Sequence, residues 1–186
     1  MKPQNAVSHP QPHAGHPANG RRRRMLTAAA IFGGTVTLVA AGGALFNPSR
    51  GATRAWYDAL EKPSFTPPDA IFGPVWTLLY GMIAVSGARI WLKEPGPART
   101  SALTAWFGQL MLNAAWSPLF FGARRPGLAL VDITLMLVAI AVYIRQAHRV
   151  DKPAAWLMTP YVAWVSFATL LNAAIVQLNV DGAVER

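Results

Sequence analysis

Apolar and polar positions alternate in long blocks along this chain, not residue by residue. Apolar runs occupy 25–46, 71–92, 101–121, 127–146 and 154–178. Each holds about 20 residues or more, the length a helix needs to cross a hydrocarbon core of about 30 Å. Short polar connections at 93–100, 122–126 and 147–153 predict antiparallel neighbours. The first connection, 47–70, is long and reads "WYDALEKPSFTPP" over 56–68. The pattern predicts an all-α membrane protein. Its domain is a five-transmembrane-helix bundle over 25–178, with a long ordered loop between helices 1 and 2 and a short tail at 179–186.

Composition sharpens this picture. The 186 residues are 53% hydrophobic and only 13% charged, well below the roughly 25% of a soluble domain. The net charge of +9 comes from basic residues concentrated at the ends of the apolar runs, which points to membrane orientation and away from nucleic acid. With the N-terminus inside, eleven Lys and Arg fall on the inner side and six on the outer. Without residues 1–24 the sides are equal, so the tail decides the expectation of N-terminus cytoplasmic, C-terminus and loop 47–70 outside. There is no cysteine, which removes disulfides and thiolate chemistry.

Residues 1–24 are polar and rich in Pro, Gly and His, and predict a disordered tail. His9, His13 and His16 have no rigid frame for a metal, so no metal site is expected. The Arg21–Arg24 run before an Ala/Gly-rich segment also resembles a twin-arginine export signal, but the 22-residue run is long for a signal core of about 7–15 residues.

Candidate chemistry lies in the few polar groups inside the runs. Gln109, Asn113 and Trp116 share one helical face, where an amide serves either as helix-to-helix glue or as a ligand contact. Asp132, the one acid well inside a run, is a functional candidate by default; the alternative is pairing with Arg124 or Arg125. Pro160, Trp164 and Ala168 recur every four residues, continued by Leu171 and Asn172. Trp76 and Tyr80 form a fourth pair. Ala29, Gly33, Thr37 and Ala41 make a small-residue ladder suited to close helix packing. No grouping of Ser, His and Asp and no nucleotide loop is present. Indole, phenol and amide on inward faces suit a flat, largely apolar ligand with a few polar groups.

Four motifs in order, "WYDALEKPSFTPP", "FGPVWTLLY", "QLMLNAAWSPLFFGAR" and "PYVAWVSFATLLN", resemble the TspO/MBR family over about 27–178. The resemblance implies a five-helix bundle, commonly a homodimer, whose pocket opens toward the first loop. It implies a porphyrin ligand, protoporphyrin IX or haem, with no obligatory cofactor. The matching ligand-binding positions are Tyr57, Trp76, Asn113, Trp116, Trp164, Ala168 and Leu171, and Asp132 matches a family acid. Function is then a tetrapyrrole-binding sensor or regulator in a bacterial inner membrane. The alternatives are a transporter of porphyrins or other amphipathic molecules, or light-dependent porphyrin degradation by Trp76 and Trp164. The vertebrate sterol motif is not matched, because Ala173 stands at its tyrosine. The first loop is expected to act as a lid stiffened by its prolines, with Trp56, Tyr57 and Phe65 at the interface or over the ligand.

Overall fold

The structure is a computed structural model that describes residues 17–48 and 51–184, with side chains over 19–48 and 51–179. Every regular element among the described residues is helical. Helix α1 (Pro17–Ala28) runs through a π-helical turn, Ala29–Gly33, into α2 (Gly34–Ala44). Ala28 and Gly34 keep helical backbone angles at both joins, so α1 and α2 form one rod. This corrects the expected boundary of the tail. Residues 17–24 are helical, because Arg is a good helix former that extends an Ala-rich run. Residues 1–16, with the three tail histidines, lie outside the described residues.

The first connection holds a short helix, α3 (Gly51–Ala59). Helix α4 (Asp69–Trp91) starts where Pro68 takes an extended conformation, and Asp69 sits in its first turn, where the helix dipole favours a carboxylate. Helix α5 (Pro97–Ser117) places proline at its first position, where no amide donor is needed. A second π-helical turn, Pro118–Gly122, follows. Then come α6 (Pro126–Val150), a one-turn α7 (Lys152–Trp156) and α8 (Thr159–Val184). The chain turns at Leu157 and Met158, and α8 restarts at Thr159, so Pro160 stands where its missing N–H would have no helical partner.

Four helical stretches are long and apolar enough to cross a membrane: Asn19–Ala44, Asp69–Trp91, Pro126–Val150 and Lys152–Asn179. Helix α5 has 21 residues but carries Arg99, Thr100, Ser101, Thr104, Gln109 and Asn113, which place it below the others in apolarity. The outer surface of the bundle is apolar, with Leu38, Met111, Val138 and Leu170 turned outward. A soluble fold would bury such side chains; a lipid solvent accepts them.

One end of the bundle is tightly closed. A methyl group added at Gly87 of α4 would lie 2.5 Å from Phe32 and 2.6 Å from Trp106, so only glycine admits both rings. The Trp106 indole donates to the Ile83 carbonyl at 3.0 Å. Ser86 donates to the Ala154 carbonyl at 2.7 Å, which leaves the Tyr143 hydroxyl, 2.6 Å away, to donate to Ser86. Asp151, between α6 and α7, takes Arg89 at 2.6 Å and Lys93 at 2.8 Å.

The small-residue ladder lies mostly on the outer face of the rod. Phe32 and Val36 of the same rod, with Ala28, turn inward, while Ala29, Thr37 and Ala41 are exposed. The larger side chains bury more apolar area, so they take the intramolecular contact.

Candidate functional site

The other end of the bundle holds a cavity of about 720 Å³ between α2, α3, α4, α5, α6 and α8. That volume lies within the 300–1,000 Å³ typical of small-molecule sites. Helix α4 contributes Phe72, Trp76 and Tyr80, spaced four residues apart on one face. Helix α5 contributes Asn113 and Trp116, and the π-helical turn after it Phe120 and Phe121. Helix α8 contributes Trp164, Ala168 and Leu171, and α3 contributes Tyr57.

Seven of the sequence candidates therefore border one cavity: Tyr57, Trp76, Asn113, Trp116, Trp164, Ala168 and Leu171. Asp132 does not. On α6 the residues that reach the wall are Ile133 and Met136. Asp132 lies about 100° round the helix from Ile133. It is 7% exposed, and its Oδ2 has no hydrogen-bond partner. It makes no ion pair with Arg124 or Arg125 among the described residues.

The polar groups in the wall mostly satisfy one another. Tyr80 donates to Asn113 Oδ1 at 2.9 Å, Asn113 Nδ2 donates to the Tyr161 hydroxyl at 3.0 Å, and Tyr161 donates to Met136 Sδ at 3.4 Å. This relay links α4, α5, α8 and α6. A second relay runs from Trp116 Nε1 to Asn172 Oδ1 at 3.2 Å and from Asn172 Nδ2 to the Pro126 carbonyl at 3.0 Å. Asn113 and Trp116 thus act as helix-to-helix links while bordering the cavity. Trp164 differs. Its Nε1 is buried and has no hydrogen-bond partner. A buried donor without a partner costs about 1–3 kcal/mol.

Aromatic faces set the shape. Trp116 stacks on Phe120 with centroids 4.9 Å apart. Trp76 lies 5.2 Å from Tyr80, and Phe72 meets Trp164 edge-on at 5.7 Å. Small residues at Gly43, Gly73 and Ala168 leave the intervening space unfilled.

The first connection closes the mouth. Arg54 of α3 binds Asp58 at 2.8 Å and Asp69, at the start of α4, at 2.8 Å. Hydrogen bonds donated to both carboxylates raise the Arg54 pKa above its ordinary value. Burial, then Asp69, pushes the Tyr57 hydroxyl up against the opposing effect of Arg54, so it stays protonated at neutral pH. Lys62 lies 4.6 Å from the Tyr57 ring centre. Asn179 of α8 clasps Glu61, accepting from its amide at 3.1 Å and donating to its carbonyl at 3.0 Å. Of the three lid aromatics expected from sequence, Tyr57 lines the cavity. Trp56 packs on Phe120, and Phe65 packs on Phe167 outside it.

Sequence reasoning missed Tyr161, Phe120, Phe121, Met136, Arg54 and Asp69. A signal existed for Tyr161: Tyr161, Trp164, Ala168 and Leu171 are spaced three, four and three, a better helical face than one begun at Pro160. Phe120 likewise falls seven residues after Asn113. Nothing local marks Arg54 and Asp69, which meet only through the fold.

Fold and composition together define a helical membrane protein with an aromatic-lined cavity. Residues 34–178 match the TspO/MBR family, and the chain belongs to it. It is 38% identical over 161 residues to the tryptophan-rich protein TspO of Chlorobaculum tepidum, covering 84% of this chain and 98% of that one. It is 43% identical over 123 residues to the human translocator protein, covering 64% and 72%. Protein CrtK of Rhodobacter capsulatus is 32% identical over 155 residues, covering 83% and 94%.

Proposed function

We propose that this protein is a membrane sensor or regulator that binds a tetrapyrrole, protoporphyrin IX or haem, in the α4–α5–α8 cavity. The observation that carries the reading is the cavity of about 720 Å³ walled by Phe72, Trp76, Tyr80, Trp116, Phe120 and Trp164. A flat apolar macrocycle with ring or edge acceptors matches that wall. In this reading α5 is a fifth span, its polar side chains facing neighbouring helices. The chain sits in a bacterial inner membrane with α1 entering from the cytoplasm and the 47–70 connection outside. A second copy packs on the exposed Ala29, Thr37 and Ala41 face to form a homodimer.

The test is absorbance titration of the detergent-purified protein with protoporphyrin IX, beside cholesterol. Saturable binding that weakens in Trp164→Phe is expected; no saturable binding would overturn the reading. Topology is read from single cysteines. One at Ser64 should react with an impermeant maleimide in intact cells, and one at Ser8 should not.

Light-dependent porphyrin degradation is the second reading, favoured by Trp76 and Trp164 bordering the same cavity. Product formed per protein under light separates the two, because a sensor binds without turnover.

A further inference from the structure

A second hollow lies on the outside of the bundle, at the end opposite the aromatic cavity. It measures about 470 Å³ and is lined by Ala141, Ile144 and Val162, with Arg145, His148 and Arg149 at its rim. Ala141, Arg145, His148 and Arg149 are spaced four, three and one along α6, a single face at the helix's end. Val162 of α8 forms the opposite wall. The floor is apolar and the rim is basic.

Both rim arginines are unopposed. No ion pair to Arg145 or Arg149 forms among the described residues. The nearby carboxylate of Asp151 is already held by Arg89 and Lys93. Further along α6, away from the rim, Val142 and Val138 are 45% and 59% exposed, continuing an apolar track into the membrane. A headgroup-sized cluster of positive charge thus tops a groove suited to hydrocarbon. Basic residues at the end of a span set orientation wherever they stand. Set around a hollow with an apolar track below, they also make a receptor.

We infer that this face is a binding site for one anionic phospholipid, its phosphate held by Arg145 and Arg149 and an acyl chain lying on Ile144, Val142 and Val138. Guanidinium groups suit this task because they present paired donors to phosphate oxygens. The site is separate from the cavity, so it does not depend on which ligand the cavity takes.

The test uses the full chain in nanodiscs of equal phosphatidylglycerol and phosphatidylcholine. The protein is extracted in mild detergent, and retained lipids are identified by native mass spectrometry. The parent is expected to keep one phosphatidylglycerol in excess over phosphatidylcholine. Each basic residue strengthens attachment to an anionic lipid about fivefold, so the Arg145→Gln/Arg149→Gln variant should lose about twenty-five-fold of that preference. The Arg145→Lys/Arg149→Lys variant, which keeps the charge, should retain most of it. Arg99→Gln, elsewhere on the protein, should match the parent. Equal retention of both lipids by the parent would overturn the inference, even if the glutamine variant failed to fold. So would undiminished preference in that variant. Inorganic phosphate in the extraction buffer should leave the lipid bound; displacement by it would mean a bare anion site without an acyl component.

Discussion

Two tryptophans divide the molecule. Trp106 of α5 is fully buried at the closed end, its N–H given to Ile83 and its ring wedged between Phe32 and Gly87. Trp164 of α8 borders the cavity at the open end, its N–H given to nothing. Both sit in apolar helices beside other aromatics and small residues. Where Phe32 and Trp106 fill the space over Gly87, an indole becomes packing. Where Gly43, Gly73 and Ala168 leave space unfilled, it becomes a wall. The chemistry of a residue type does not decide between these roles; the neighbouring volume does.

The largest effect should come from removing the packed indole. Trp106→Ala is expected to cost about 3–5 kcal/mol of stability, through the cavity it leaves. Denaturant or thermal unfolding in detergent measures it, and a near-parental stability would dissolve the contrast between the two ends. Gly87→Ala should follow at about 1–3 kcal/mol, because the added carbon meets ring atoms that cannot bend away.

At the open end the signs part. Trp164→Phe should leave the ligand-free stability near the parent's while lowering porphyrin affinity by about 0.5–1.5 kcal/mol, through the smaller ring face left in the wall. Trp116→Phe should lower stability instead, since Asn172 Oδ1 loses its donor. If both variants changed affinity alone, the distinction between spare and engaged indoles would fail.

The smallest effect concerns the ions of the closed end. Burial alone would raise the Asp151 pKa, but hydrogen bonds from Arg89 and Lys93 outweigh it and hold the carboxyl below its ordinary value of 3.8. A depressed acid stabilises the fold above its unfolded pKa and loses that contribution as pH falls through the lower folded value. The parent should therefore keep the full contribution at neutral pH and lose it below about pH 4. Asp151→Asn should lack it throughout, by about 1 kcal/mol, since both cations are half-exposed. Melting curves of the two proteins that ran parallel down to strong acid would refute this.

Much of the architecture could be read from block lengths alone, because a bilayer fixes how long a spanning helix must be. The cavity face of α8 was legible because Trp164, Ala168 and Leu171 follow helical spacing. What could not be read was where each polar group finds its partner. Asn113 meets Tyr80 and Tyr161 across 33 and 48 residues, a separation no local pattern encodes. Asp132 was the one acid well inside an apolar run. A rotation of one residue along α6 puts Ile133 on the wall and leaves Asp132 off it. The ladder at Ala29 read as a face for close helix packing, and Phe32 on the same rod, with more area to bury, took the inward contact. In each case periodicity identified a face, and only the competition between faces determined which turned inward.

The clasp between Glu61 and Asn179 has a consequence in time. The two residues lie 118 positions apart, the widest separation of any side-chain hydrogen bond described. A ribosome adding about 5–20 residues per second needs roughly 6–24 s to travel from one to the other. During that interval α3 is already made but has nothing of α8 to hold. The contact between the first connection and α8 therefore forms only after the helices between them have been made. A pigment arriving during synthesis would meet a vessel whose rim had not yet been fastened.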